Sequence, residues 1–191
     1  MHTETRLKWT GIQSGADVQA KDASGYTALI LAAVNGDVEM VDLLLQRGAD
    51  VHGRNNDGIT ALIFAASEGH KGVVNLLFHA AADIHMKNDY GYTALIWAAQ
   101  NGHAEVVELL LKHGAQIDAT NKYGSTALIL AALYGQTEVV SLLLQAGADP
   151  QSKDKDGRSA INYASGDVVK ALLLEVRREG RGRPIWEEVV P

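Results

Sequence analysis

The stretch GYTALIWAAQNGHAEVVELLLKHGAQ, residues 91–116, decides the fold. Its first half places Leu95, Ala98 and Ala99 at helical spacing, with Thr93 just ahead as a helix cap. The paired alanines carry little bulk, so neighbouring helices can approach closely. Gly102 ends this helix where a positive φ is cheap. A second helix follows with Val106, Val107, Leu109, Leu110 and Leu111, more apolar than a single buried face requires. Adjacent material must therefore cover it. Gly114 stops it, and AQIDATNKYG (115–124) reads as a turn-rich connection.

Working outward, the same text recurs at a fixed period. Gly25, Gly58, Gly91, Gly124 and Gly157 lie 33 residues apart, as do Gly36, Gly69, Gly102 and Gly135. YTALILAA, ITALIFAA, YTALIWAA and STALILAA begin at Tyr26, Ile59, Tyr92 and Ser125. Each is followed by a second-helix motif: MVDLLLQRGAD, VVNLLFHAAAD, VVELLLKHGAQ and VVSLLLQAGAD. A self-similar period of this length marks a stacked array of two-helix units, each burying its neighbours' apolar faces.

These units resemble ankyrin repeats, whose pattern G-x-T-P-L-H-x-A-A-x-x-G-H-x-E-V-V-x-L-L-L-x-x-G-A-D is closely followed by residues 91–116. The resemblance implies an all-α solenoid of helix-turn-helix units joined by β-hairpin-like loops. It also implies recognition of a protein partner by the loop tips and the exposed side of the first helices. One departure is systematic: TALI stands where the family has TPLH. Ala28, Ala61, Ala94 and Ala127 replace the proline, and Ile30, Ile63, Ile96 and Ile129 the histidine. Apolar packing is expected in place of imidazole hydrogen bonds.

The resulting organisation is a degenerate half-unit over 1–21, then units at 22–54, 55–87, 88–120 and 121–153. A C-terminal capping unit follows at 154–179 and a flexible tail at 180–191. The cap is expected to turn a charged outer face to water through Glu175, Arg177 and Arg178. In the tail, Ile185 and Trp186 either stay solvated, fold back over the last helix or serve as a docking motif. The second unit is the least regular, with Gly72 inside its second helix and Ala81 where a terminating glycine is expected. Either packing compensates for both, or this unit opens early.

Composition narrows the function. A net charge of −6 argues against general affinity for nucleic acid or anionic membranes, which call for clustered cations. With no cysteine, thiolate nucleophiles, disulfides and cysteine-based metal centres are excluded. Residues 1–14 have no apolar run resembling a signal peptide. Apolar runs elsewhere fall short of the roughly 20 residues that span a bilayer. A soluble, cytoplasmic, monomeric protein without cofactor is expected. No nucleophile elbow, phosphate loop or metalloprotease motif occurs, so catalysis is not expected. His52 and His85, like His70 and His103, are one unit apart, too far to share a metal, and read as loop and cap residues. Asp50, Asp83 and Asp149 beside Arg54, Lys87 and Lys153 read as a surface charge ladder.

Positions that vary between units are free for binding. They lie around the first glycine and along the stripes Leu31/Val34/Asn35, Phe64/Ser67/Glu68, Trp97/Gln100/Asn101 and Leu130/Leu133/Tyr134. Rings concentrate there: all six tyrosines, Phe64 and Trp97, leaving only Trp9, Phe78 and Trp186 elsewhere. Rings bury large area at small entropic cost and dominate interface energetics. The expected partner-binding set is Tyr26, Phe64, Tyr90, Tyr92, Trp97, Asn101, Tyr123, Leu130, Leu133 and Tyr134, centred on the third and fourth units. Alternatively, a small or nucleotide-like ligand stacks on Trp97 or Tyr134 beside Lys122. A third reading is a purely structural or engineered array.

Overall fold

The computed structural model describes residues 17–179, with side chains through residue 175. The expected N-terminal half-unit up to residue 16, with Trp9, and the tail from residue 180 lie outside the described residues. Paired helices follow in sequence: α1 (Ala28–Val34) with α2 (Val38–Gln46), α3 (Ala61–Ser67) with α4 (Lys71–His79), and α5 (Ala94–Asn101) with α6 (Ala104–Lys112). Then come α7 (Ala127–Leu133) with α8 (Thr137–Gln145), and α9 (Ala160–Tyr163) with α10 (Asp167–Glu179). The first helices of successive pairs pack in one row and the second helices in another.

The helices begin where a hydroxyl stands ready. Thr27, Thr60, Thr93 and Thr126 hold extended backbone and accept from the N–H three residues on, at 3.2–3.3 Å. Between the rows lies one continuous core. Ile30, Ile63, Ile96 and Ile129 are no more than 2% exposed, so the expected apolar packing is in place. Each is joined by an alanine pair from its own helix and by second-helix residues such as Leu44, Leu77, Leu110 and Leu143.

Polar ties between pairs persist at another register. The His70 ring Nε2 lies 3.0 Å from the Val34 carbonyl, and His103 Nε2 lies 2.8 Å from that of Ser67. Gln136 Nε2 donates to the Gln100 carbonyl at 3.0 Å. A carbonyl can only accept, so both imidazoles carry a proton on Nε2. These residues precede α4, α6 and α8 but make no side-chain cap bond to them. They fasten each second helix to the pair before it.

The loops interlock as well. Asp22, Asn55, Asn88, Asn121 and Asp154 share one register, and each Oδ1 accepts from the N–H groups two and four residues on. The three asparagines are buried. Loop tips bond in series: Asn56 N–H to Ser24 O, Asp89 to Asp57, Lys122 to Tyr90 and Lys155 to Tyr123, all at 2.9–3.0 Å. Single antiparallel bridges, Lys21 with Thr27 and Arg54 with Thr60, give the hairpin character. The close approach needs glycine: a Cβ on Gly91, at φ +79°, would meet Lys122 N at 2.8 Å.

The expected charge ladder between turns requires correction. The Asp50, Asp83 and Asp149 carboxylates accept from the N–H groups of His52, His85 and Gln151, while Arg54 meets a carboxylate in the next loop, that of Asp89, at 4.0 Å. The cations reach onward instead. Lys21 Nζ donates to the Arg54 carbonyl (2.9 Å), Arg54 to that of Lys87, and Lys87 Nζ to that of Thr120 (2.8 Å). A carbonyl in the next loop offers a fixed acceptor, whereas an exposed ion pair gains little. On the outer face of the last helix Glu175 is exposed, as expected, beside Val168 (62% exposed) and Leu174 (44%), while the side chains of Arg177 and Arg178 lie outside the described residues.

Candidate binding surface

Exposure divides the ten expected contact residues into three groups. Tyr90 (53%), Tyr123 (57%), Leu133 (40%) and Tyr134 (57%) stand free, with Asn101 also exposed. Tyr26, Phe64, Tyr92 and Trp97 are half-buried and pack against the core. Leu130 is buried and belongs to the core, not to a contact surface. It lies one turn deeper in α7 than Leu133 and Tyr134, so depth along the helix, and not its face alone, sets exposure.

The half-buried rings brace the scaffold. Tyr26 meets Phe64 of the next pair with centroids 5.5 Å apart, and Tyr92 meets Trp97 at 4.9 Å, both tilted. The Trp97 indole N–H is enclosed, with no acceptor among the described residues. Burial pushes the Tyr92 phenol pKa up, and the Tyr123 and Tyr134 phenols push the same way. Asn101 is tied too: its Nδ2 donates to the Ser67 carbonyl at 2.9 Å.

The exposed rings occupy positions that are small or polar in earlier pairs. Tyr90 and Tyr123 stand in register with Ser24 and Asp57, and Tyr134 with Asn35, Glu68 and Asn101. Fixed loops hold the first two, because the Tyr90 and Tyr123 carbonyls accept the loop-tip bonds. Lys122, between them in sequence, is exposed. None of these rings lines the cleft between the first two loops, where Lys21, Thr27, Asp50, His52 and Arg54 meet. There Lys21 and Arg54 are already engaged on backbone carbonyls.

Sequence reasoning took His70 and His103 for loop and cap residues, whereas their side chains fasten neighbouring pairs, and it did not single out Gln136 or the loop asparagines. Their signal was present as recurrence at a 33-residue register, hidden where the residue type changes from His to Gln or from Asp to Asn.

The sequence pattern of ankyrin repeats matches the chain in three overlapping copies, over residues 5–88, 74–154 and 120–180. The chain belongs to the ankyrin-repeat family. Ankyrin-repeat domains are typically protein–protein interaction modules and are usually non-catalytic. The match starts at residue 5, so ankyrin-like sequence precedes the first described helix pair. No curated protein matches the sequence. Among the described residues no helix is long and apolar enough to cross a membrane.

Proposed function

We propose that this ankyrin-repeat domain acts as a monomeric, non-catalytic adaptor, scaffold or inhibitor, gripping a protein partner with the loops and first helices of units 88–120 and 121–153. The observation that carries this reading is the exposure of Tyr90, Tyr123, Leu133 and Tyr134 on two adjacent units whose backbones are locked together. Rigid rings lose little entropy on binding, and clusters of them form the centres of protein interfaces. The half-buried Tyr92 and Trp97, in contact with each other, brace unit 88–120, while Tyr26 and Phe64 brace the first two pairs and extend the contact surface along the array. Lys122 adds a cation at its rim, where it steers partner choice more than affinity.

The double substitution Tyr123→Ser/Tyr134→Ser tests this assignment. Loss of two hot-spot rings weakens binding to the partner captured by the wild-type chain by at least about tenfold. Because both rings are exposed, the unfolding midpoint stays within about 4 °C of wild type. Undiminished affinity overturns the assignment. Stabilisation by free nucleotides or metabolites, abolished by the same substitutions, would support a stacked small ligand in place of a protein.

A further inference from the structure

The last helix departs from the other second helices in what it leaves uncovered. α4, α6 and α8 each bury two consecutive valines, Val73–Val74, Val106–Val107 and Val139–Val140, at 1% exposure or less. In α10 only Val169 of the pair Val168–Val169 is buried. At 3.6 residues per turn, Val168, Ala171 and Leu174 form a strip turned away from the buried Val169 and Leu173. α8 and α9 pack against α10, leaving all three strip residues exposed.

We propose that this strip is the docking site for the chain's own residues 184–190, PIWEEVV, with Ile185 and Trp186 as the apolar anchors. The reach fits. From Ala171 to the helix end at Glu179 is about 12 Å at 1.5 Å per residue. The six residues from there to Ile185 extend up to about 20 Å. Gly180 and Gly182 allow the reversal of direction. A segment returning along the helix brings Glu187 and Glu188 past the exposed Lys170, with Asp167 and Glu175 on the same face, so the apolar anchors and not charge carry the contact. The size fits as well. Three side chains offer far less than the ~800 Å² per partner that a stable dimer buries. A short tether supplies an effective concentration in the millimolar range, so a small apolar contact suffices. The segment thus takes the place that a following helix pair holds over α8.

The absence of cysteine makes the test direct. Ala171→Cys and Glu187→Cys are introduced together in the full chain, and disulfide closure under mild oxidation is timed by mass and non-reducing gel. The same pair in an I185A/W186A background measures closure by an undocked tether. Docking makes closure at least about tenfold faster in the first protein, and Val168→Ser/Leu174→Ser removes the advantage. Equal rates in both backgrounds overturn the proposal. So does closure that is mainly intermolecular and rises with concentration, which assigns the strip to a second copy. Hydrogen exchange on the chain without cysteines is a second readout: residues 185–190 exchange about tenfold faster once Val168→Ser/Leu174→Ser is introduced, and an unchanged rate overturns docking independently.

Discussion

The second and third helix pairs are built on one register, yet they handle it differently. The chain after α6 passes through Gly114, whose φ of +86° costs nothing, whereas the chain after α4 passes through Ala81 at φ +59°. α6 carries Glu105 in its first turn; α4 carries Gly72 in register with it. In spite of both changes, Val73, Val74 and Leu77 are as fully buried as Val106, Val107 and Leu110. The fold therefore dictates local backbone geometry even where the residue disfavours it. What identical packing permits to vary is the outside: Asp57, Phe64 and Glu68 on the second pair against Tyr90, Trp97 and Asn101 on the third.

The severest test of this equivalence is to hollow out each core in turn. Leu77→Ala and Leu110→Ala each lower stability by about 2–5 kcal/mol in denaturant titration, the usual cost of a cavity at a buried leucine. A much smaller loss at Leu77 would mean that the second pair is loosely packed and opens early, and amide exchange in α4 would then outrun that in α6.

The turn residues come next in size. An L-residue in the left-handed region costs about 1–2 kcal/mol. Glycine there returns part of this gain through unfolded-chain entropy of about 0.4–1 kcal/mol. Ala81→Gly accordingly stabilises by roughly 0.5–1 kcal/mol, and Gly114→Ala destabilises by a similar amount. Thermal unfolding of the two single variants checks both signs, and equal signs would break the comparison.

Gly72→Ala has the smallest effect. Helix propensity favours alanine by about 1 kcal/mol. The added Cβ, however, would meet Val38 Cγ2 at 3.1 Å and force it to give way. The net gain stays below about 1 kcal/mol. A full gain in denaturant titration would show that the glycine has no packing role.

Most of the scaffold was readable in the residues because periodicity and caps act locally. The threonine caps and the alanine pairs follow from spacing, and the isoleucine core from the departure of TALI from the ankyrin TPLH pattern. Exposure was only half readable. Leu130 and Leu133 lie on one helical stripe, yet one is buried and the other free, since neighbouring units cover a helix unevenly along its length. The cation ladder was read as one of charges between turns, while the acceptors that Lys21, Arg54 and Lys87 meet one unit away are backbone carbonyls, which side-chain identity does not reveal. Contacts between units repeat with the period but are not spelled within it.

The row Asp22, Asn55, Asn88, Asn121, Asp154 carries a consequence for how long such an array can grow. A carboxylate is expensive to enclose, and an amide performs the same turn bonding without charge. Amides stand at the three buried sites and acids at the two ends of the row. The Asp154 carboxylate accepts from the Tyr163 hydroxyl at 2.6 Å, and this bond holds its pKa below the ordinary carboxylate range. It stays ionised at neutral pH. Adding another module over that loop would trap the charge, so any extension in that direction must first exchange the acid for its amide or supply a cation to meet it.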